Sequence, residues 1–362
     1  MKNMIRLSAL VILILMVSPA LADRIITAED VRPPKDFSLC GEPVPFELDH
    51  VRERFEKEML LSLWDRPQVL LWLKRTTRYM PFISQTLHKF GMPDDIKYLA
   101  IVESALRPHA GSPKGAMGFW QLMPDTARKY GLTVDEFVDQ RRDLYLSTPA
   151  AFDYLKVLHD KFSSWTLALA AYNMGEEGLE AEMLEQRTGD YYWLYLPLET
   201  QRFIFRILSV KLIVSDPAAY GFQLEPEDFY APINFDTVTI DCFQEVPIRL
   251  VAEAADSLFK EIKDLNPHLR GHYVQAGRHE VRVPQGRTTG FEGKFDDLVQ
   301  SHSQERSQRI YVVQSGDSLS SIAKKFGVPL QSLLIWNRIG LEKALHPGDR
   351  LVIYPRTMVS GQ

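Results

Sequence analysis

YLAIVESAL, Tyr98 to Leu106, sets one carboxylate, Glu103, inside an apolar run. Pro93, Asp94 and Asp95 stand just before it and predict a helix start, because proline suits a first turn and acids suit the positive end of the helix dipole. Ile96, Leu99, Glu103 and Leu106 then fall at steps of three, four and three, which is one face of a helix predicted over Asp94 to Leu106. A carboxylate among apolar neighbours is costly as an anion, so its pKa rises and it can serve as a general acid. The competing reading is a glutamate at the edge of the stripe, bonded to an arginine or a backbone amide; this helix alone fits both.

Outward from that helix the periodicity continues. Helices are predicted over Val51 to Leu63, Pro67 to Tyr79, Met80 to Phe90, Pro124 to Tyr130, Thr148 to Phe162, Trp165 to Tyr172, Gly178 to Thr188 and Glu199 to Asp216, with almost no strand-like alternation. The fold class is therefore mainly α, in a unit bounded at 51–230. Residues 23–50 precede it as a linker or strap, since Pro33, Pro34, Pro43 and Pro45 interrupt any helix. Residues 1–22 read as a signal peptide: Lys2 and Arg6 form the positive segment, Leu7 to Val17 an apolar core too short for a bilayer, and Ala20-Leu21-Ala22 a cleavage signal. An exported chain with no lipid-modified terminus is expected.

Composition excludes several classes. Removing Lys2 and Arg6 from the 42 Lys and Arg leaves 40 against 47 acidic residues, so the net charge of -5 becomes -7 and no basic surface for nucleic acid is expected. Cys40 and Cys242 are the two cysteines. They can form one bridge in an oxidising compartment or remain buried thiols, and they are too few for a cysteine metal site. The histidines show no ligand spacing, so neither metal nor cofactor is expected.

The C-terminal third changes character. Val238 to Phe243 and Glu280 to Val283 read as strands around helices Ile248 to Ala255 and Leu258 to Leu265, and the same order recurs after Tyr311. Two small α+β units of βααβ type follow, at 235–286 and 310–356. Residues 287–309, rich in Gly, Ser, Gln and charge, read as a linker with at most one short helix.

Several side chains could hold a sugar. GSPKGAMGFWQLMP, 111–124, brings three glycines together, Gly111, Gly115 and Gly118, where bare backbone permits tight turns and close approach of a ligand. Trp120 can stack on a pyranose, Gln121 can donate and accept, and Met123 can fill an apolar gap; core packing is the alternative for Trp120 and Met123. Tyr172 and Asn173 offer a hydroxyl and an amide, or else form a satisfied buried pair.

The repeat YVVQSGDSLSSIAKKFGVPLQSLLIWNRIGLEKALHPGDRLVIYP closely resembles a LysM module along its whole length. That resemblance implies binding of N-acetylglucosamine-containing glycan between the turn at Asp317, Ser318 and Leu319 and the loop at Ile339 and Leu341. The first copy is similar only in LNP and VRVP, lacks the GDSL turn, and is read as a degenerate module acting as a spacer.

MPDDIKYLAIVESALRPHAGSPKGAMGFWQLMPDTARKYGL, RRDLYLSTPAAFDYLKVLHDKF, WTLALAAYNMG and LPLETQRFIFRIL, in that order, resemble the lysozyme-like catalytic domain of the membrane-bound lytic murein transglycosylase D family. The resemblance implies that Glu103 is the acid and base, that Ser104 of the ES pair, Gly118 and Gln121 of the glycine block, and Tyr172 with Asn173 contact substrate, and that peptidoglycan glycan strands are the partner. It further implies a periplasmic, cell-envelope location with peripheral association to wall or outer membrane. Two departures stand out. Phe203 occupies a position where the family often has a tyrosine reaching toward the cleft, and ESALRP replaces small polar residues with Ala105 and Arg107. Glycosidases ordinarily use two carboxylates. Asp125, Glu176 and Glu177 are available as a second but read as a helix cap and solvent-facing turn residues. The implied reaction forms a 1,6-anhydromuramoyl end; a lysozyme-like hydrolase and a non-catalytic wall-binding protein are its rivals.

Overall fold

The computed structural model describes residues 26–354, so the leader predicted at 1–22 and the last two residues of the unit at 310–356 lie outside the described residues. Residues 26–48 are not a free strap. Strands β1 (Ser38–Leu39) and β2 (Glu42–Pro43) pair antiparallel, and Val31, Leu39 and Val44 enter the main core. The prolines removed helical periodicity from the sequence without preventing burial.

Helices α1 (Asp49–Trp64) and α2 (Arg66–Phe90) follow. The latter is one helix where two were predicted. Asp65 caps it, Gly91 closes it in the left-handed conformation, and burial of Met80, Ile83 and Leu87 around Pro81 outweighs the hydrogen bond that the proline lacks. The helix expected over Asp94 to Leu106 is shorter: a 3-10 turn at Asp94–Ile96 leads into α3 (Lys97–Ser104), after which Ala105 and Leu106 are both left-handed. The rest of this body is α4 (Pro124–Lys129), α5 (Leu144–Phe162), α6 (Trp165–Met174), α7 (Glu176–Gln186) and α8 (Leu198–Ser215). Helix α8 is the common wall against which α1, α3 and α6 pack.

The first C-terminal module contains β3 (Phe235–Cys242), β4 (Val246–Pro247), α9 (Ile248–Ala254), α10 (Phe259–Leu265), β5 (Tyr273–Val274) and β6 (Gly277–Pro284). Antiparallel pairing joins β3 to β6, from Phe235 opposite Pro284 to Cys242 opposite Gly277, and β4 to β5. Residues 287–309 differ from the expected linker. They hold α11 (Phe291–Gln308), 18 residues long, which packs on α9 with Phe291, Phe295 and His302 buried. Phe291, Phe295, Leu298, Val299 and His302 recur at helical spacing and form its inner face, a stripe that the surrounding Gly, Ser, Gln and charged residues masked. The second module has β7 (Ile310–Val312), α12 (Leu319–Phe326), α13 (Leu330–Asn337) and β8 (Arg350–Val352), with β7 and β8 antiparallel.

One asparagine defines the repeat in both copies. Asn266 donates to the Ile262 and Arg282 carbonyls and accepts from the Arg282 amide; Asn337 does the same with Leu333 and Val352. The second helix of each unit is thereby fastened to its closing strand. Cys40 and Cys242 are free thiols: Cys40 packs against the core of the helical body, whereas Cys242 lies in the core of the first module. Among the described residues no helix is long and apolar enough to cross a membrane.

Candidate active site

From Tyr98 to Leu106 every residue is buried except Glu103. Its helix is covered on all sides, and the acid occupies the position where that cover opens. The end of α3 is held by arginines from three directions: Arg206 donates to the Val102 carbonyl at 3.2 Å, Arg107 to that of Ser104 at 3.1 Å, and Arg75 to that of Ala105 at 3.0 Å. These bonds satisfy carbonyls that have no partner within the helix and support two consecutive left-handed non-glycine residues, a conformation that costs about 1 kcal/mol or more at each. The Glu103 backbone is therefore fixed by its surroundings.

Its carboxyl makes no side-chain hydrogen bond or ion pair among the described residues. Burial pushes it up to about 8; the Arg206 guanidinium opposes this shift and the Glu199 carboxylate adds to it. Glu199, Phe203 and Arg206 recur at steps of four and three along α8 and share the face turned toward α3. Phe203 is 1% exposed. Having no hydroxyl, Phe203 adds no hydrogen-bond donor to that face of α8. Sequence reading missed both charged members of this face. The helical spacing from Phe203 was the available signal for them.

Tyr172 lies beside Glu103. Burial, then the neighbouring Glu103 and Tyr154, hold its phenol protonated well above the ordinary range. The hydroxyl donates to the Trp120 carbonyl at 2.6 Å, which ties α6 to the residue preceding Gln121. Gln121 is left-handed, with φ of 48°, and its Nε2 donates to the Ala110 and Gly118 carbonyls at 2.9 Å each. The amide nitrogen thus shapes the loop, while Oε1 accepts no hydrogen bond among the described residues. Asn173 accepts from Thr200 at 2.8 Å, joining α6 to the start of α8. Met123, 43% exposed, stands at the head of α4 with its side chain open to contact.

Four of the expected contact residues are engaged within the protein itself. Trp120 is 0% exposed, with Nε1 bonded to Thr148 at 3.0 Å and its ring edge-on to Phe152, so it is core and cannot stack on a sugar. The buried Ser104 hydroxyl returns to the Ala100 carbonyl at 2.8 Å, one helical turn back, and does not face a ligand. Gly118 is required by protein packing: a Cβ there would stand 1.8 Å from the Arg141 carbonyl oxygen, at φ of 84°. In the C-terminal module Leu319 is a core residue. Nearby, Ser318 caps α12 through Ser321 N, and Asp317 accepts from Gln314 N and the Tyr311 hydroxyl. These bonds make the turn a rigid frame. Ile339 borders the core, and Leu341, 62% exposed, is the open apolar member of that pair.

Of the other carboxylates, Asp125 sits in the first turn of α4, fully exposed and paired with Arg128 at 3.0 Å. Glu176 and Glu177 open α7 at the edge of a cleft of about 370 Å³ lined also by Tyr130, Tyr154 and Met174. Among the described residues there is no cluster of His, Cys, Asp and Glu suited to a metal ion.

Glu103 thus stands without a side-chain partner at an opening in a helical body, and two small modules of βααβ type follow it, an arrangement whose class the comparisons with known proteins supply. Residues 80–192 match the Transglycosylase SLT domain family, 234–299 the family described as Lytic transglycosylase MltD, LysM-like domain, and 311–353 the LysM domain family. The chain is 30% identical over 321 residues to the Membrane-bound lytic murein transglycosylase D of Escherichia coli (strain K12), covering 85% of this chain and 69% of that protein. It belongs to that family. A shorter match, 33% over 110 residues, joins it to the Putative tributyltin chloride resistance protein of Alteromonas sp. (strain M-1), over 30% of this chain and 53% of that one. Among solved structures, the 70 kDa soluble lytic transglycosylase of Escherichia coli is similar at 19% identity and a TM-score of 0.33, over 48% of this chain and 30% of its own. The lytic transglycosylase Slt of Pseudomonas aeruginosa is similar at 21% and 0.30, over 41% and 26%.

Proposed function

We propose that this lytic transglycosylase cleaves the β-1,4 bond between N-acetylmuramic acid and N-acetylglucosamine in peptidoglycan with Glu103 as its single acid and base. The observation that supports this is the state of Glu103: protonated near neutrality, without a partner, at the opening of its helix. The proton passes from Glu103 to the bridging oxygen as the bond from C1 to that oxygen breaks. The muramoyl C6 hydroxyl then attacks C1 and returns its proton to the carboxylate. Atoms balance without water, the product is a 1,6-anhydromuramoyl end, and Glu103 is restored. Gln121 Oε1 and Met123 line the approach, with Tyr172 as a neutral positioning donor and Asn173 fixing the start of α8.

The nearness of Glu199 favours a second reading, in which that exposed carboxylate activates water and the enzyme is a hydrolase. Digestion of purified sacculi followed by mass spectrometry separates the two, since anhydro ends are lighter by one water. The C-terminal module holds the enzyme on wall glycan through the turn at Asp317 and Ser318 and the loop at Ile339 and Leu341. A peptidoglycan substrate supports a periplasmic location, and we infer peripheral association with the wall or outer membrane.

A further inference from the structure

The first C-terminal module meets the catalytic body at one seam, and that seam leads to the glycine loop. Asp143, with a side chain 0% exposed, caps α5 by accepting from Tyr145 and Leu146 amides. Its carboxylate also accepts from His268 Nδ1 at 2.8 Å, and from both terminal nitrogens of Arg282, Nη2 at 3.1 Å. Both of these partners belong to the module. The Arg282 guanidinium lies 4.6 Å from the Tyr145 ring centroid and 5.1 Å from that of Phe235. Burial would raise the Asp143 carboxyl, but the bonds from His268 and Arg282 outweigh it and hold it below the usual range.

Backbone pairing runs beside this ion cluster. The Asp139 amide donates to the His268 carbonyl at 2.8 Å, the Arg270 amide to that of Phe137 at 2.7 Å, and Val138 bridges to Leu269. A cavity of only about 30 Å³ remains at the junction, room for about one water. Just inside the seam, Arg141 is clamped by Asp139 at 2.8 and 2.9 Å, with both side chains nearly inaccessible. The remaining arm of Arg141 donates to the Gly115 carbonyl at 2.8 Å and to the Leu122 carbonyl at 2.9 Å. Its own carbonyl fills the space beneath Gly118. The loop carrying Gln121 is thus bolted to residues 139–143, and those residues are bolted to the module.

We propose that the module at 234–299 is a positioning part of the catalytic unit, in which Arg282, His268 and the 268–270 segment hold Arg141 and hence the Gln121 loop in register with Glu103. The unit therefore extends across the expected domain boundary. A module used as a spacer needs no doubly bonded buried carboxylate at its root, and a buried charge of this kind is strongly destabilising once either partner is removed. The proposal rests on Glu103 and Gln121 forming the working site.

The test uses the full chain with Arg282→Ala, Arg282→Lys and Arg270→Ala. Hydrogen exchange is followed over 110–122, 135–143, α1 and α8, together with kcat and KM on soluble glycan and retention on sacculi. Arg282→Ala is expected to speed exchange at 110–122 and 135–143 by about tenfold or more, leaving α1 and α8 within about twofold. The kcat should fall about tenfold with KM and sacculus retention little changed, because a loop displaced by a fraction of an ångström misplaces substrate already bound. Arg282→Lys should recover part of both effects, and Arg270→Ala, which keeps the ion cluster and loses the bond to the Asp135 carbonyl, should give a smaller shift of the same sign. If Arg282→Ala does not fold, the other two variants decide by the same readouts. Unchanged exchange at 110–122 while 135–143 loosens overturns the proposal, as does uniform loosening or an undiminished kcat with a loosened loop. The exchange result is independent of the catalytic assignment, so failure of Glu103 as the acid is seen separately.

Discussion

Replacing Glu103 by glutamine removes the proton donor and also an unfavourable pH dependence of stability. In the unfolded chain the carboxyl ionises near its ordinary 4.5, whereas in the folded protein burial holds it to about 8. Between those values the native state binds the extra proton, so wild-type stability falls as pH rises through that window and is level on either side. At about 1.4 kcal/mol per pH unit the interval gives an upper limit of about 5 kcal/mol. Part of the side chain meets solvent, and screening there reduces the difference to about 1–3 kcal/mol. Glutamine is neutral throughout. Melting curves of wild type and Glu103→Gln, taken from about pH 4 to pH 9, should diverge through the window and reach a gap of about 2–10 °C in favour of the variant. Parallel curves, or a wild type that gains stability relative to the variant as pH rises, would refute an acid held protonated by burial. Over the same range the wild-type rate should fall above about pH 8, where the acid loses its proton.

Further outcomes follow from the neighbours of the acid. Gly118→Ala should abolish activity and lower the melting temperature, since its methyl would meet the Arg141 carbonyl at 1.8 Å; a variant with wild-type melting and rate contradicts the packing role. Glu199→Gln should move the alkaline limit of the rate downward, because a like charge that raises the Glu103 carboxyl is removed, and anhydro product should persist; loss of cleavage as complete as in Glu103→Gln supports the hydrolase. Deleting residues 310–362 should weaken retention on sacculi and spare cleavage of soluble glycan, as tethering raises local concentration without touching the reacting bond. Equal pull-down of both forms contradicts that division.

Much of this molecule was readable in the chain because periodic burial leaves a periodic sequence. Glu103 stood out within its apolar run, while Gln121 and Tyr172 were singled out by the family resemblance; the fold sets Tyr172 beside Glu103 and bonds it to the Trp120 carbonyl, next to Gln121. The failures have physical causes. Trp120 reads alike whether it faces a sugar or the core, and only the Thr148 and Phe152 contacts distinguish the two. Gly118 announced a close approach but not its partner, a backbone carbonyl 23 residues later. Residues 26–48 bury scattered apolar groups without a stripe, whereas 291–308 carry a short stripe, Phe291, Phe295, Leu298, Val299 and His302, outweighed in composition by polar and charged neighbours. The bonds from Asp143 to His268 and Arg282 span 125 and 139 residues, a separation at which local pattern carries no signal.

The most direct test of the chemistry is cleavage of sacculi in 18O-labelled water with mass analysis of the first products. Attack by the C6 hydroxyl predicts muramoyl ends lighter than the hydrolytic product by one water and free of label at C1. Reducing muramoyl ends carrying 18O at C1 as the main initial product would contradict it and assign the reaction to water.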